Sequence, residues 1–168
     1  MAKKAVMIIA FQGFRDEEYL EPKAVLEQAG IAVATASTEV GVATGKLGAQ
    51  VKTDMQIKDV AAAEFDAIIF VGGPGSYSLF ENPDALKLAQ EAIKLGKVLG
   101  GICAAAAILA HAGVLKGIKA TSFSGVADIL RENGANYSAL GLEVDGKIVT
   151  ADGPSNAKGF GEEIVRLL

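Results

Sequence analysis

The chain carries one cysteine, Cys103, in the stretch Gly100-Gly101-Ile102-Cys103-Ala104-Ala105. An apolar run gives way there to a helical one. Small residues around a thiol at a strand-to-helix junction suit a sharp turn that lifts the side chain above a sheet, the layout of a nucleophile elbow. A helix opening at Ala104 aims unpaired N–H groups at the sulfur and favours a thiolate. The plain alternative is a buried structural cysteine, the usual fate of a free thiol. A second feature is the pair Gly72-Gly73, directly after another apolar run. Two glycines let the backbone approach a ligand closely. Their N–H groups, with that of Ala104, form a candidate oxyanion hole; a plain tight turn or a phosphate loop are the alternatives. The segment Gly73-Pro74-Gly75-Ser76-Tyr77-Ser78 opens like a dinucleotide fingerprint. Its third glycine is missing, Pro74 removes a donor and no Gly-Lys-Ser/Thr follows, so that reading ranks low.

These residues need a scaffold, and the hydropathy pattern supplies one. Buried strands are predicted over 5–10, 31–36, 66–71 and 97–102, with a short one over 119–121. Helices are predicted over 17–29, 83–95, 104–112, 126–132 and 155–168. Asn82 caps the second with Pro83 at its first position; Gly30 and Gly113 stop the first and third. Gly159 and Gly161 weaken the last, at roughly 1 kcal/mol each. Hairpins are expected over 41–52 and 142–150, the latter turning at Asp145-Gly146. Apolar strands alternating with helices imply a mostly parallel sheet covered on both faces. The expected fold is therefore α/β, a flavodoxin-like three-layer α/β/α sandwich, and residues 1–168 are expected to form one domain. Ligands in such sheets bind at the carboxyl ends of strands. Gly72 to Gly75, Gly101 to Ala104 and Asp152-Gly153-Pro154-Ser155 fall at such ends, and the stretch from Arg15 to Glu18 joins them. Tyr77, Phe80 and Phe123 neighbour those ends and either line the site or pack in the core.

Composition narrows the function classes. The chain has 168 residues, 51% hydrophobic and 21% charged, with 16 basic against 20 acidic side chains. A net charge of −4 argues against nucleic acid as a partner. One cysteine excludes an intrachain disulfide, and one histidine excludes a multi-histidine metal site. The longest apolar runs are too short to span a bilayer, so no membrane association is expected. No signal-peptide pattern opens the sequence, so a cytoplasmic protein is the expectation. The early loop, residues 11–16, lacks a phosphate nest, so a flavin or nucleotide module ranks last; no cofactor and no metal are expected.

Four stretches, in this order and spacing, resemble the ThiJ/PfpI superfamily. They are Asp16-Glu17-Glu18, Phe70-Val71-Gly72-Gly73-Pro74-Gly75, Gly100-Gly101-Ile102-Cys103-Ala104 and Thr150-Ala151-Asp152-Gly153-Pro154. The similarity runs over residues 4–168. It implies a flavodoxin-like sandwich, a homodimer and a reactive elbow cysteine at Cys103. It places the family's partner glutamate, protonated and bonded to the sulfur, on Glu18, and the oxyanion donors on the Gly73 and Ala104 backbones. Gly72, Tyr77 and Phe123 are the expected site-lining residues. Glyoxalase, deglycase, peptidase and chaperone activities, and oxidation sensing, occur in the family.

The departures select among these. Peptidase-like members carry a histidine directly after the cysteine, where Ala104 stands here. Others carry one about twenty residues later, where Phe123 stands. Ala105 replaces a usual glycine. His111 lies eight residues past Cys103, about 12 Å along a helix and out of reach of the sulfur within one chain. Without a histidine base, a poor amine leaving group is hard to expel, whereas an aldehyde adduct rearranges by proton shifts one carboxyl can carry. The expectation is a cysteine-dependent protein acting on a small electrophilic carbonyl through a low-pKa Cys103 paired with Glu18. The alternative is a non-catalytic sensor or chaperone whose Cys103 oxidises to the sulfinic acid.

Overall fold

The structure, a computed structural model, describes residues 2–168. In chain order the elements are β1 (Lys4–Ile8), β2 (Gln12–Phe14), α1 (Asp16–Gln28), β3 (Ala32–Ser37), β4 (Val42–Gly45), β5 (Gln50–Lys52) and β6 (Met55–Gln56). Then come β7 (Ala67–Phe70), α2 (Pro83–Lys94), β8 (Val98–Ile102), α3 (Ala106–His111), β9 (Lys119–Ala120), α4 (Ala127–Glu132), β10 (Asn136–Tyr137), β11 (Leu142–Asp145), β12 (Ile148–Ala151) and α5 (Ala157–Leu167). The main sheet runs β11-β12-β8-β7-β1-β3-β6. Every pair in it is parallel except β11 with β12. The expected flavodoxin-like three-layer sandwich is the fold.

Period-two alternation sends the strand residues to two cores. Val6, Ile8, Ile68, Phe70 and Leu99 face the layer of α2, α3 and α4. Ala5, Met7, Ile69, Val71, Val98 and Ile102 face the layer of α1 and α5. At β8 the alternation reaches its limit. A methyl group on Gly100 would lie 2.8 Å from the Phe160 ring, and one on Gly101 would lie 3.1 Å from Leu109. Helices press the strand from both faces, and only glycine lets them in. The same closeness explains Gly161, where an added Cβ would sit 2.9 Å from Pro22 Cα on α1.

The capped start of α2 is as expected, with Asn82 Oδ1 accepting from Ala85 N at 3.0 Å. Both hairpins form: β4 with β5, and β11 with β12 around Gly146. The first belongs to a separate three-stranded sheet with β2. Three helices start later than predicted. Turns of 3-10 helix occupy Cys103–Ala105, Ser124–Val126 and Pro154–Asn156, so α3 spans six residues only. No described helix is long and apolar enough to cross a membrane.

Candidate active site

β8 ends at Ile102, and the chain reverses at Cys103 with φ 60. Among the described residues no other non-glycine has a positive φ. A left-handed cysteine costs on the order of 1–2 kcal/mol. The neighbours hold it there, including the Phe123 N–H, which donates to Cys103 O at 3.2 Å. This is the elbow expected from the flanking small residues.

Gly72 and Gly73 follow β7 and approach the elbow from the adjacent strand. A Cβ on Gly72 would lie 2.5 Å from Glu18 Oε1, 2.6 Å from Ile102 O and 2.8 Å from Cys103 Cβ. Gly72 thus packs bare backbone against both the Glu18 carboxyl and Cys103, with no room for a side chain. It does not line the open cleft, which corrects that expectation. Gly73 has φ +108, and any side chain there would collide with the Arg15 amide. Its carbonyl accepts from Ser76 Oγ at 2.6 Å, and its N–H, with that of Ala104, acts on the Cys103 sulfur. Those are the two amides singled out from the sequence, and here they face the sulfur.

Three consecutive acids open α1, and each goes to a different partner. Asp16 accepts from Leu47 N and Ala49 N, both at 2.8 Å, and so fixes the turn after β4. Glu17 takes both Arg15 donors, Nε and Nη2, each at 2.9 Å. Glu18 points inward and is 0% exposed. Neither of its carboxyl oxygens meets a partner at full hydrogen-bond geometry. The Cys103 thiol, the Arg15 charge and the Gly72 amide favour its ionised form, but burial outweighs them and pushes Glu18 up to about 7.

The expected low-pKa thiol requires correction. Burial first, and the Glu18 carboxylate second, push the Cys103 thiol up to about 12. The two amides pull the other way and lose. Two further reasons lie in the fold: the helix behind the sulfur is short, and its first turn is 3-10. Sulfur and carboxyl cannot both be charged at such closeness, so the two titrate as a unit.

The thiol opens into a cleft of about 290 Å³ lined by Arg15, Glu18, Lys46, Gly73, Pro74, Tyr77, Cys103, Ala104, Phe123, Asp152 and Pro154. Tyr77 and Phe123 line it as expected, and the Asp152-Pro154 turn after β12 joins them. His111 does not; its ring lies 6.0 Å from that of Phe80. Lys46 is the residue that reading along the sequence misses. Its place depends on Asp16, thirty residues earlier, which no local pattern reveals. Among the described residues no group of three or more His, Cys, Asp or Glu gathers as a metal site.

The whole chain is similar to known proteins. The profile described as the DJ-1/PfpI family matches residues 3–167. A protein named deglycase PfpI from Pyrococcus furiosus is 34% identical over 97% of this chain and 98% of its own. A glutathione-independent glyoxalase from Caenorhabditis elegans is 29% identical over 99% of this chain and 89% of its own. The crystal structure of a ThiJ/PfpI domain protein from Brachyspira murdochii superposes with TM-score 0.97 at 35% identity, covering 99% of this chain and 96% of that one.

Proposed function

The chain belongs to the DJ-1/PfpI family, and from that premise we propose that it is an enzyme acting on small reactive carbonyls, with Cys103 as nucleophile and Glu18 as proton carrier. The observation that carries this reading is a fully buried carboxyl, pushed up to about 7 by that burial, in direct side-chain contact with the Cys103 thiol. A proton carrier works best when its pKa lies near the working pH. Names borne by relatives, deglycase and glyoxalase, support the same class of reaction.

Above a pH of about 7, with the pair past its first proton loss, Cys103 and Glu18 hold one proton between them. As sulfur attacks an aldehyde carbon, the S–C bond forms and the carbonyl π pair moves to oxygen. The shared proton ends on Glu18, and the Gly73 and Ala104 N–H groups receive the oxyanion. Glu18 then protonates that oxygen and leaves a hemithioacetal. With a 2-oxoaldehyde, the carboxylate removes the C1 proton and returns it to C2, while the C1 hydroxyl proton passes to the C2 oxygen. C1 is oxidised as C2 is reduced, which gives a thioester of a 2-hydroxy acid. Water cleaves the thioester and restores the thiol. Amide hydrolysis fits less well, because no imidazole stands in the cleft to protonate an amine. A homodimer, implied by the family resemblance, belongs to this reading and is checked by sedimentation.

The test is the pH dependence of Cys103 alkylation by iodoacetamide. The wild-type rate is expected to rise with a midpoint about 7, as the pair loses its first proton. In Glu18→Gln the thiol keeps its burial, which outweighs the two amides, and with no carboxylate to take its proton the midpoint should move above the free-thiol value of ~8.5. An unmoved midpoint rules out the pair. Methylglyoxal turnover at the buffer rate, with peroxide consuming the thiol, leaves the oxidation-sensor reading instead.

A further inference from the structure

Large apolar side chains exposed on this surface include two aromatics among the described residues, Tyr77 at 48% and Phe123 at 42%. Both line the Cys103 cleft. Neither packs in the core, and each is held in place. The Tyr77 ring stacks on Phe80, with centroids 4.7 Å apart and planes at 27°, so one face is covered while about half of the residue stays exposed. The Phe123 ring lies over Gly125, where any side chain would collide with it. Its backbone is tied to Cys103 O. Two pre-positioned rings thus flank a thiol, one from the turn after β7 and one from the turn after β9.

The size of the cleft agrees with this. At about 290 Å³ it reaches the lower edge of the roughly 300–1,000 Å³ typical of clefts for drug-sized ligands. A three-carbon aldehyde leaves most of that space, and both rings, in water. A ligand with an apolar ring covers them, and aromatic pairs add a preference beyond the area buried.

We propose that Tyr77 and Phe123 form a specificity subsite, and that the preferred electrophile carries an aromatic or bulky apolar group next to its reactive carbon. This rests on the reactive-carbonyl reading above and sharpens its substrate class to aryl-substituted 2-oxoaldehydes over methylglyoxal. Phe123 leads, because it stands closest in the fold to the nucleophile's own backbone; Tyr77 supplies the second ring.

Alkylation tests the subsite without requiring turnover. Cys103 is treated with iodoacetamide and with N-phenyliodoacetamide, and each rate is divided by that of free cysteine. The phenyl reagent is expected to be favoured about tenfold in the wild type, from the added apolar burial. The preference should fall to near unity in Phe123→Ala, fall partway in Tyr77→Ala and survive in Phe123→Leu in reduced form. Phenylglyoxal should likewise exceed methylglyoxal in kcat/KM by about the same factor. A wild-type preference near unity, or one unchanged in Phe123→Ala, overturns the subsite. A thiol that reacts with neither reagent removes the nucleophile reading, and the subsite is then read by binding alone. Phenylacetamide should shift the Gly73 and Ala104 amide resonances at lower concentration than acetamide does; equal concentrations overturn the proposal in that case too.

Discussion

The floor and the mouth of the Cys103 cleft are built on different principles. The floor consists of Gly72, Gly73, Cys103, Ala104 and the buried Glu18, placed by the ends of β7 and β8 and by the first turn of α1. Its spacings are backbone spacings, and at Gly72 there is no room for one methyl group. The mouth consists of Lys46, Tyr77, Phe123 and Pro154, carried on turns. Its side chains are exposed or half-buried, and most neighbours of a substituted residue there are water. The chemistry we propose therefore rests on tightly spaced backbone, and the selectivity we propose on side chains with room to change.

The sharpest way to break this contrast is Gly72→Ala. The new Cβ would meet the Glu18 carboxyl, the Ile102 carbonyl and Cys103 Cβ together, and a backbone carbonyl cannot swing aside. We expect a loss of about 3 kcal/mol of stability and at least about a hundredfold in kcat/KM, read by denaturant unfolding and methylglyoxal kinetics. Wild-type values in this variant would mean that the floor is softer than its spacings imply.

Glu18→Gln separates the floor's chemistry from its stability. Burial raises Glu18 from 4.5 to about 7, so the folded state holds this proton more tightly than the unfolded chain does. Stability from the neutral carboxyl is full below 4.5 and is lost as pH rises to about 7. The difference is on the order of 3 kcal/mol. Replacement by the neutral amide should matter little at pH 4. At pH 8.5 it should make the protein more stable than wild type by about that amount, while alkylation at neutral pH slows. Urea unfolding of both proteins at the two pH values checks this, and a pH-independent difference would place the carboxyl in water.

At the mouth effects should be small. Lys46 is exposed and has no ion-pair partner among the described residues. Lys46→Met should lower the rate of iodoacetate relative to iodoacetamide by about two- to threefold at low salt, and less at high salt, as expected of a screened charge. A tenfold change would move Lys46 from the mouth to the floor.

The same division decides what could be read from the sequence. The elbow was legible because its causes are local: glycines before the thiol, alanines after it, an apolar strand ahead. The sheet was legible because each strand repeats its pattern within five or six residues. Glu18 was legible only through family resemblance. Asp16, Glu17 and Glu18 all look like acids favoured by a helix N-terminus, and the turn of α1 alone sends one to a loop, one to Arg15 and one beneath the sulfur. The two-residue strands β6 and β10 carry too short a pattern to be seen. The raised thiol is not legible, because the burial of the sulfur and the charge state of the carboxyl beside it are tertiary facts that no local pattern carries.

The left-handed backbone at Cys103 has a consequence for how this protein would drift under selection. At φ 60 a glycine would be relieved of strain on the order of 1 kcal/mol. A library screened for thermal tolerance alone sets that relief against the packing of the side chain on both cores. Retention of the thiol in such a library, with no carbonyl or oxidant present, would mean that the sulfur is held for packing. Its loss would show that the residue persists in nature against its own conformational preference, by selection on what it does.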